Sequence, residues 1–200
     1  QSSNPVPRRV RPRQQERVLN PCIKKLAQAI APVMKQAGFK KRGQSWRFDT
    51  PETIVVLNLQ KSQWGPGYFI NLGVLIRALN PHSQPDVFSC PIHTRLKNLL
   101  PKLDAARELF DFSNSKYDTD EGYKEMAEVV RTYALPLLKQ CGALDGIRDA
   151  IRASPRLGMQ AWRTAVDFLG IEYEAIAARV ETSDAPQYGP EGRRRERSRE

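Results

Sequence analysis

The sequence predicts an α+β domain: an antiparallel meander sheet of 3–5 strands flanked by an N-terminal helix and by C-terminal helices. Three observations carry that prediction. Apolar residues recur at three- and four-residue spacing over residues 20–37, two-residue alternation broken by compact turns follows over 45–76, and helical spacing returns from residue 118 onward. Strands joined by short turns pair as neighbours, and helices segregated to the two ends of a chain pack on a face of such a sheet.

The first helix starts at Asn20, which can cap it, with Pro21 in the first turn where no backbone donor is needed. Ile23, Leu26, Ala27, Ile30, Val33, Met34 and Ala37 form its apolar stripe, and Gly38 ends it. Pro32 removes one internal bond and predicts a kink. "SWRFDTPETIVVLNLQKS" reads as a hairpin turning at Asp49-Thr50-Pro51-Glu52, and "GYFINLGVLI" supplies the next strand after a Gly-Pro-Gly bend. Side chains alternate along a strand, so Val55, Leu57 and Leu59 share a face with Ile70, Leu72 and Val74, which must pack on helices. The opposite face begins apolar at Ile54 and Val56 and turns polar toward Trp64, which predicts a half-covered surface. "CPIHTRLKNLL" and "ARELFDF" are candidates for one or two further strands.

The clearest helix is "YDTDEGYKEMAEVVRTYALPLLKQCG", in which Asp118 and Glu121 have capping-box spacing, Pro136 predicts a kink or an end, and Gly142 stops it. Ile147 and Ile151 mark a short helix before Pro155. Met159, Trp162, Val166 and Leu169 mark another, and Tyr173, Ile176 and Val180 a third. This apolar stripe either docks a partner or folds back over the half-covered sheet, and folding back is the expectation. The predicted organisation is a disordered basic tail (1–18), an α+β core domain (19–154), a C-terminal helical extension (155–182) and a disordered charged tail (183–200).

The formal net charge of +10 lies wholly in residues 1–61, where thirteen Lys or Arg face only Glu16, Asp49 and Glu52. Part of the excess belongs to the Pro/Arg/Gln tail, and the remainder clusters at "FKKRGQSWR". No apolar run reaches the ~18 residues of a spanning helix, so no membrane partner is expected. The first thirty residues carry no apolar leader, and Cys22, Cys90 and Cys141 are odd in number and widely spaced. Reduced thiols and a cytoplasmic location follow as expectations.

Taken in order, "IAPVMKQAGFKKRGQSW", "VVLNLQKSQWG", "FINLGVLI", "CPIHTRLKNLLP" and "DTDEGYKEMAEVVRTYALPLL" resemble the bacterial family filed as domain of unknown function 4304, over roughly residues 27–150. The resemblance implies a bacterial origin and an α+β architecture of helix, antiparallel sheet and helices; it implies no activity. The family's characteristic positions stand here as Gly38, Phe39, Gln60, Ser62, Asn71, Gly73, Cys90, Arg95 and Pro136. Its paired aromatic strand after the Arg-Leu segment is represented only by Phe110 and Phe112 around Asp111.

Three functional readings compete. In the leading one the chain is a non-catalytic binding or accessory domain, and an amide-rich sheet face of Asn58, Gln60, Ser62 and Asn71, with Trp64, Tyr68 and Arg95, holds a protein or a small polar ligand by stacking and directed hydrogen bonds. Arg95 either pins a carboxylate or phosphate of that ligand or pairs with a structural acid such as Asp111 or Asp118. The alternative is nucleic-acid binding through Lys40, Lys41, Arg42 and Arg47. The third is an enzyme built on Cys90, His93 and Arg95, which would need a thiolate-stabilising setting. No P-loop, GxGxxG, HExxH or GxSxG motif appears. Cys90 and His93 stand without a second ligand pair, His82 and Asp86 being the only nearby additions, so neither metal nor cofactor is expected.

Overall fold

The computed structural model of the protein describes residues 21–63, 67–80, 84–100 and 118–184. The two predicted tails up to those limits, Trp64, His82 and the "ARELFDF" segment lie outside the described residues. Helix α1 (Pro21–Gln36) contains Pro32, and Ile23, Leu26, Ile30 and Met34 are its buried stripe. It ends as read: Gly38 adopts φ 85°, Gly38 N donates to Lys35 O at 3.0 Å, and Phe39 N donates to Met34 O at 2.9 Å. That pair of bonds needs a left-handed residue, which glycine supplies without a Cβ penalty.

Five strands follow, β1 (Lys40–Arg42), β2 (Ser45–Asp49), β3 (Thr53–Lys61), β4 (Tyr68–Ile76) and β5 (Ile92–Arg95), in one antiparallel meander of order β1-β2-β3-β4-β5. The sheet is thus the predicted one at the upper end of its size. Strand β1 escapes sequence reading because Lys40, Lys41 and Arg42 are all exposed and show no apolar alternation. The turn at Asp49-Thr50-Pro51-Glu52 falls where expected, between β2 and β3. It is tied to the helical layer by Thr50 Oγ1 donating to Gly142 O at 2.7 Å, buried Thr53 Oγ1 donating to Cys141 O at 3.0 Å, and Leu144 N donating to Glu52 Oε2 at 2.9 Å.

After Asp118 the chain is helical: α2 (Asp120–Val129), a wide turn over Val130–Ala134, α3 (Leu135–Gln140), α4 (Leu144–Ala153), α5 (Pro155–Met159), α6 (Arg163–Phe168) and α7 (Tyr173–Asp184). Thr119, not Asp118, caps α2, its Oγ1 accepting from Gly122 N at 3.0 Å. Asp118 instead accepts from the Tyr123 hydroxyl and, at 3.5 Å, from Cys22 Sγ. Pro136 neither breaks nor ends the helix. Leu135 N reaches back to Val130 O, so the turn before Pro136 is widened and the missing proline donor falls where the ladder is already loosened.

The main core lies between these helices and the sheet face bearing Trp46, Val55, Leu57, Leu59, Ile70, Leu72 and Val74. Ala165, Val166, Leu169 and Ile176 belong to this same core, so the C-terminal stripe does fold back. It covers the helix-packed layer and not the half-covered face, which corrects the expected destination. Trp162 stays outside, 48% exposed, because Trp162 N donates to Pro91 O at 2.7 Å and Ala161 bridges Ile92. Those contacts pull residues 161–162 straight along the outer edge of β5 and end the helical spacing there.

The reverse sheet face carries a smaller core of Ile54, Val56, Leu75, Val87 and Cys90. Val87 and Cys90 come from the β4–β5 connection, whose short helical turn Val87–Ser89 lies across that face. Asp86 fastens the turn, its Oδ1 accepting from Phe88 N at 2.9 Å. Gly73 permits the approach: a Cβ there would lie 2.9 Å from Val87 Cγ2 and 3.0 Å from Cys90 Sγ. The face is covered at its apolar end and open at its polar end, as the alternation predicts.

Candidate functional site

Pleat and register bring the amides together. Ser45, Asn58, Asn71 and Arg95 are Cα partners in succession across β2, β3, β4 and β5, and Arg42 of β1 stands opposite Ser45. Directly opposite residues point to the same side of a sheet, so one transverse row crosses the reverse face. Its members are bonded. Asn58 Nδ2 donates to Ser45 Oγ at 2.9 Å, and Asn71 Nδ2 donates to Gln60 Oε1 at 3.0 Å and to Asn58 Oδ1 at 3.4 Å. Asn71 is only 3% exposed, which sets it apart from a solvent-washed strand residue. With its amide nitrogen committed to two neighbours, its Oδ1 has no donor among the described residues.

At the β5 end the row opens into a cavity of about 510 Å³ lined by Asn71, Phe88, His93, Thr94, Arg95, Lys97, Asn98 and Gln160. The Arg95 guanidinium lies 3.8 Å from the centroid of Phe69, the ring opposite Gln60, and Lys97 Nζ lies 5.6 Å from the same centroid. Phe88 is 49% exposed and meets the His93 ring edge-on at 6.3 Å. His93 Nδ1 donates to Cys90 O at 3.1 Å, which fixes the ring against the β4–β5 turn. No carboxylate lines this cavity. Of the acids offered as Arg95 partners, Asp118 is engaged elsewhere and Asp111 lies outside the described residues.

Of the other predicted site residues, Ser62 follows the end of β3, where Ser62 N donates to Gly67 O at 2.8 Å and closes the β3–β4 turn. Trp64 lies outside the described residues. Tyr68 does not join the site: it is three residues from Asn71, hence on the opposite side of β4, fully buried in the main core. Burial there pushes its hydroxyl above the ordinary range, assisted by the nearby Cys22 and Asp118. Phe69, one residue further on, is the aromatic of the amide face. Phe88, Lys97, Asn98 and Gln160 also went unread. Even-numbered spacing from Asn71 would have selected Phe69, whereas nothing local in the sequence places Gln160 beside β5.

The basic cluster does not form one patch. Lys40 and Arg42 stand opposite Arg47 and Ser45 on the reverse face, while Lys41 points to the other side and sits 5.0 Å over the Trp46 ring. Arg47 is half-buried, and its guanidinium donates to Pro85 O at 3.0 Å over the small core. Cys90, His93 and Arg95 likewise separate. His93 and Arg95 line the cavity, but the Cys90 thiol is fully buried under the turn and bonds Asp86 O at 3.4 Å. Burial pushes that thiol up to about 12, away from the thiolate a nucleophile needs. Among the described residues no three His, Cys, Asp or Glu side chains are grouped as metal ligands, and no helix is long and apolar enough to cross a membrane.

The family model described as "Domain of unknown function (DUF4304)" matches residues 30–140, which takes in the whole sheet and every lining residue of the cavity except Gln160. No curated protein and no solved structure matches the chain.

Proposed function

Since the chain belongs to the DUF4304 family, whose description assigns no activity, its function must be argued from the site, and we propose that it is a non-catalytic binding domain that holds a small polar ligand on the amide row and in the adjoining cavity. The observation that carries this reading is Asn71. A buried asparagine oriented by two neighbouring side chains, with an acceptor left over beside a cavity, is costly to desolvate and contributes little to packing. Such a group is well suited to a ligand donor because it is already fixed in direction before the ligand arrives. The volume falls within the ~300–1,000 Å³ typical of small-molecule sites.

Thermal-shift measurements on the full chain against a panel of polar small molecules test the reading. A ligand at a hundredfold its Kd contributes about 2.7 kcal/mol, a rise of roughly 5–11 °C for a chain of this size. Asn71→Leu and Arg95→Gln should each abolish that rise. A ligand that stabilises both variants as well as it does the parent overturns the assignment of the site.

A further inference from the structure

We infer that the ligand of this cavity is a monophosphate carried on a flat ring, of the nucleoside monophosphate kind, with the phosphate on Arg95 and Lys97 and the ring against Phe88. The inference rests on the binding reading above and specifies its ligand. Arg95 supplies the first argument. Its guanidinium is spread over Phe69 at 3.8 Å, which fixes its plane, and among the described residues it has neither a carboxylate partner nor a hydrogen bond. A fixed guanidinium presents its N–H groups as a fork that matches the oxygens of a phosphate.

The second argument is charge. Lys97 lies over the same ring, at 5.6 Å, so two like charges are held close together on one side of a cavity without a lining carboxylate. Their mutual repulsion becomes attraction once a dianion lies between them, and a phosphate monoester carries close to two charges at neutral pH.

The third argument is the wall. Phe88, 49% exposed, belongs to the short turn clamped by Asp86 and stands edge-on to His93. An exposed aromatic held on a rigid turn offers a stacking surface for a flat ring. Asn98, Gln160 and the Asn71 acceptor supply directed groups for ring-edge or sugar hydroxyls. His93 pairs with Gly73 and Arg95 with Asn71, two positions apart on one face of β5, so the stacking wall and the phosphate fork are offset along the strand. A phosphate attached to a ring through a sugar has such an offset between its two ends.

Calorimetric titration of the full chain with adenosine 5′-monophosphate, uridine 5′-monophosphate, adenosine and inorganic phosphate provides the test. At least one monophosphate should bind at least tenfold more tightly than adenosine or phosphate alone. Arg95→Gln should weaken it at least tenfold while leaving adenosine unchanged, and Phe88→Ala should weaken the monophosphate and adenosine but not phosphate. Both positions are exposed, and circular dichroism confirms that the variants fold. If neither monophosphate exceeds its parts, while an uncharged polar ligand still binds in an Asn71-dependent way, the ligand class is wrong and the binding reading stands. If no titrated compound and no panel ligand depends on Asn71, Arg95 or Phe88, both fall.

Discussion

Replacing Gly73 by alanine adds one methyl group to the most crowded point of the reverse face, and its consequence can be worked from distances. The new Cβ would lie 2.9 Å from Val87 Cγ2, 3.0 Å from Cys90 Sγ and 3.2 Å from Cys90 Cβ. Carbon atoms rest at about 3.5–4.0 Å, so the turn at residues 87–90 must lift by roughly 0.5–1 Å. It has little freedom to do so, being held by the Asp86 cap, by Arg47 on Pro85 O and by His93 on Cys90 O. Overpacking of this kind costs about 1–3 kcal/mol, or roughly 2–4 °C in Tm for each kcal/mol. Urea denaturation of Gly73→Ala, Val87→Ala and the double variant forms the assay. Val87→Ala removes the nearest clashing atom and itself costs about 1–3 kcal/mol, so the two losses should fall short of adding by about 1 kcal/mol. A Gly73→Ala protein within about 0.5 kcal/mol of the parent, or two losses that add, would refute the claim that the turn is seated on a glycine.

Other outcomes follow from burial. Burial pushes the Cys90 and Cys141 thiols each from 9.0 up to about 12. A raised folded-state value means stability fully present below pH 9 and lost as pH climbs toward 12, so unfolding free energy should fall between pH 8 and pH 10 by roughly 1.4 kcal/mol per thiol, a loss that Cys90→Ala/Cys141→Ala should lack. With a thiol reagent at pH 8, no more than one thiol per folded chain should react, and three should in urea; labelling of Cys90 in the native protein would contradict its burial. Thr53→Val removes the buried donor to Cys141 O and should cost about 1–3 kcal/mol in chemical denaturation, because that carbonyl loses a partner without gaining water. A neutral substitution would mean that the tie between the β2–β3 turn and the helices is dispensable.

Alternation made β2, β3 and β4 legible because each has one face against helices, and the Asp49–Glu52 turn carried its own chemistry. Strand β1 was hidden because an exposed edge of Lys-Lys-Arg has no buried face to impose a pattern. The amides could be put on one face from parity alone, but their alignment into a row needs the register of three successive strand pairs, which depends on turn lengths. Tyr68 was assigned by nearness to Trp64 against its own parity, and the parity rule wins. Asp118 reads as a cap by spacing, yet Thr119 is one residue closer to the helix start and takes the role. Phe88 and Gln160 reach the cavity through tertiary contacts that no local pattern records.

The central claim is that a ligand seats on the row running from Asn58 through Asn71 to Arg95. Its most direct test is a nitrogen-15 NMR titration of the full chain that follows the side-chain amide of Asn71 and the Arg95 Nε–H as any panel ligand that raises the melting temperature is added. Both signals should move together and saturate at one ligand per chain, with Lys40 and Arg42 unaffected. A stabilising ligand that leaves Asn71 and Arg95 unmoved, or a panel in which no compound shifts either, would contradict the account.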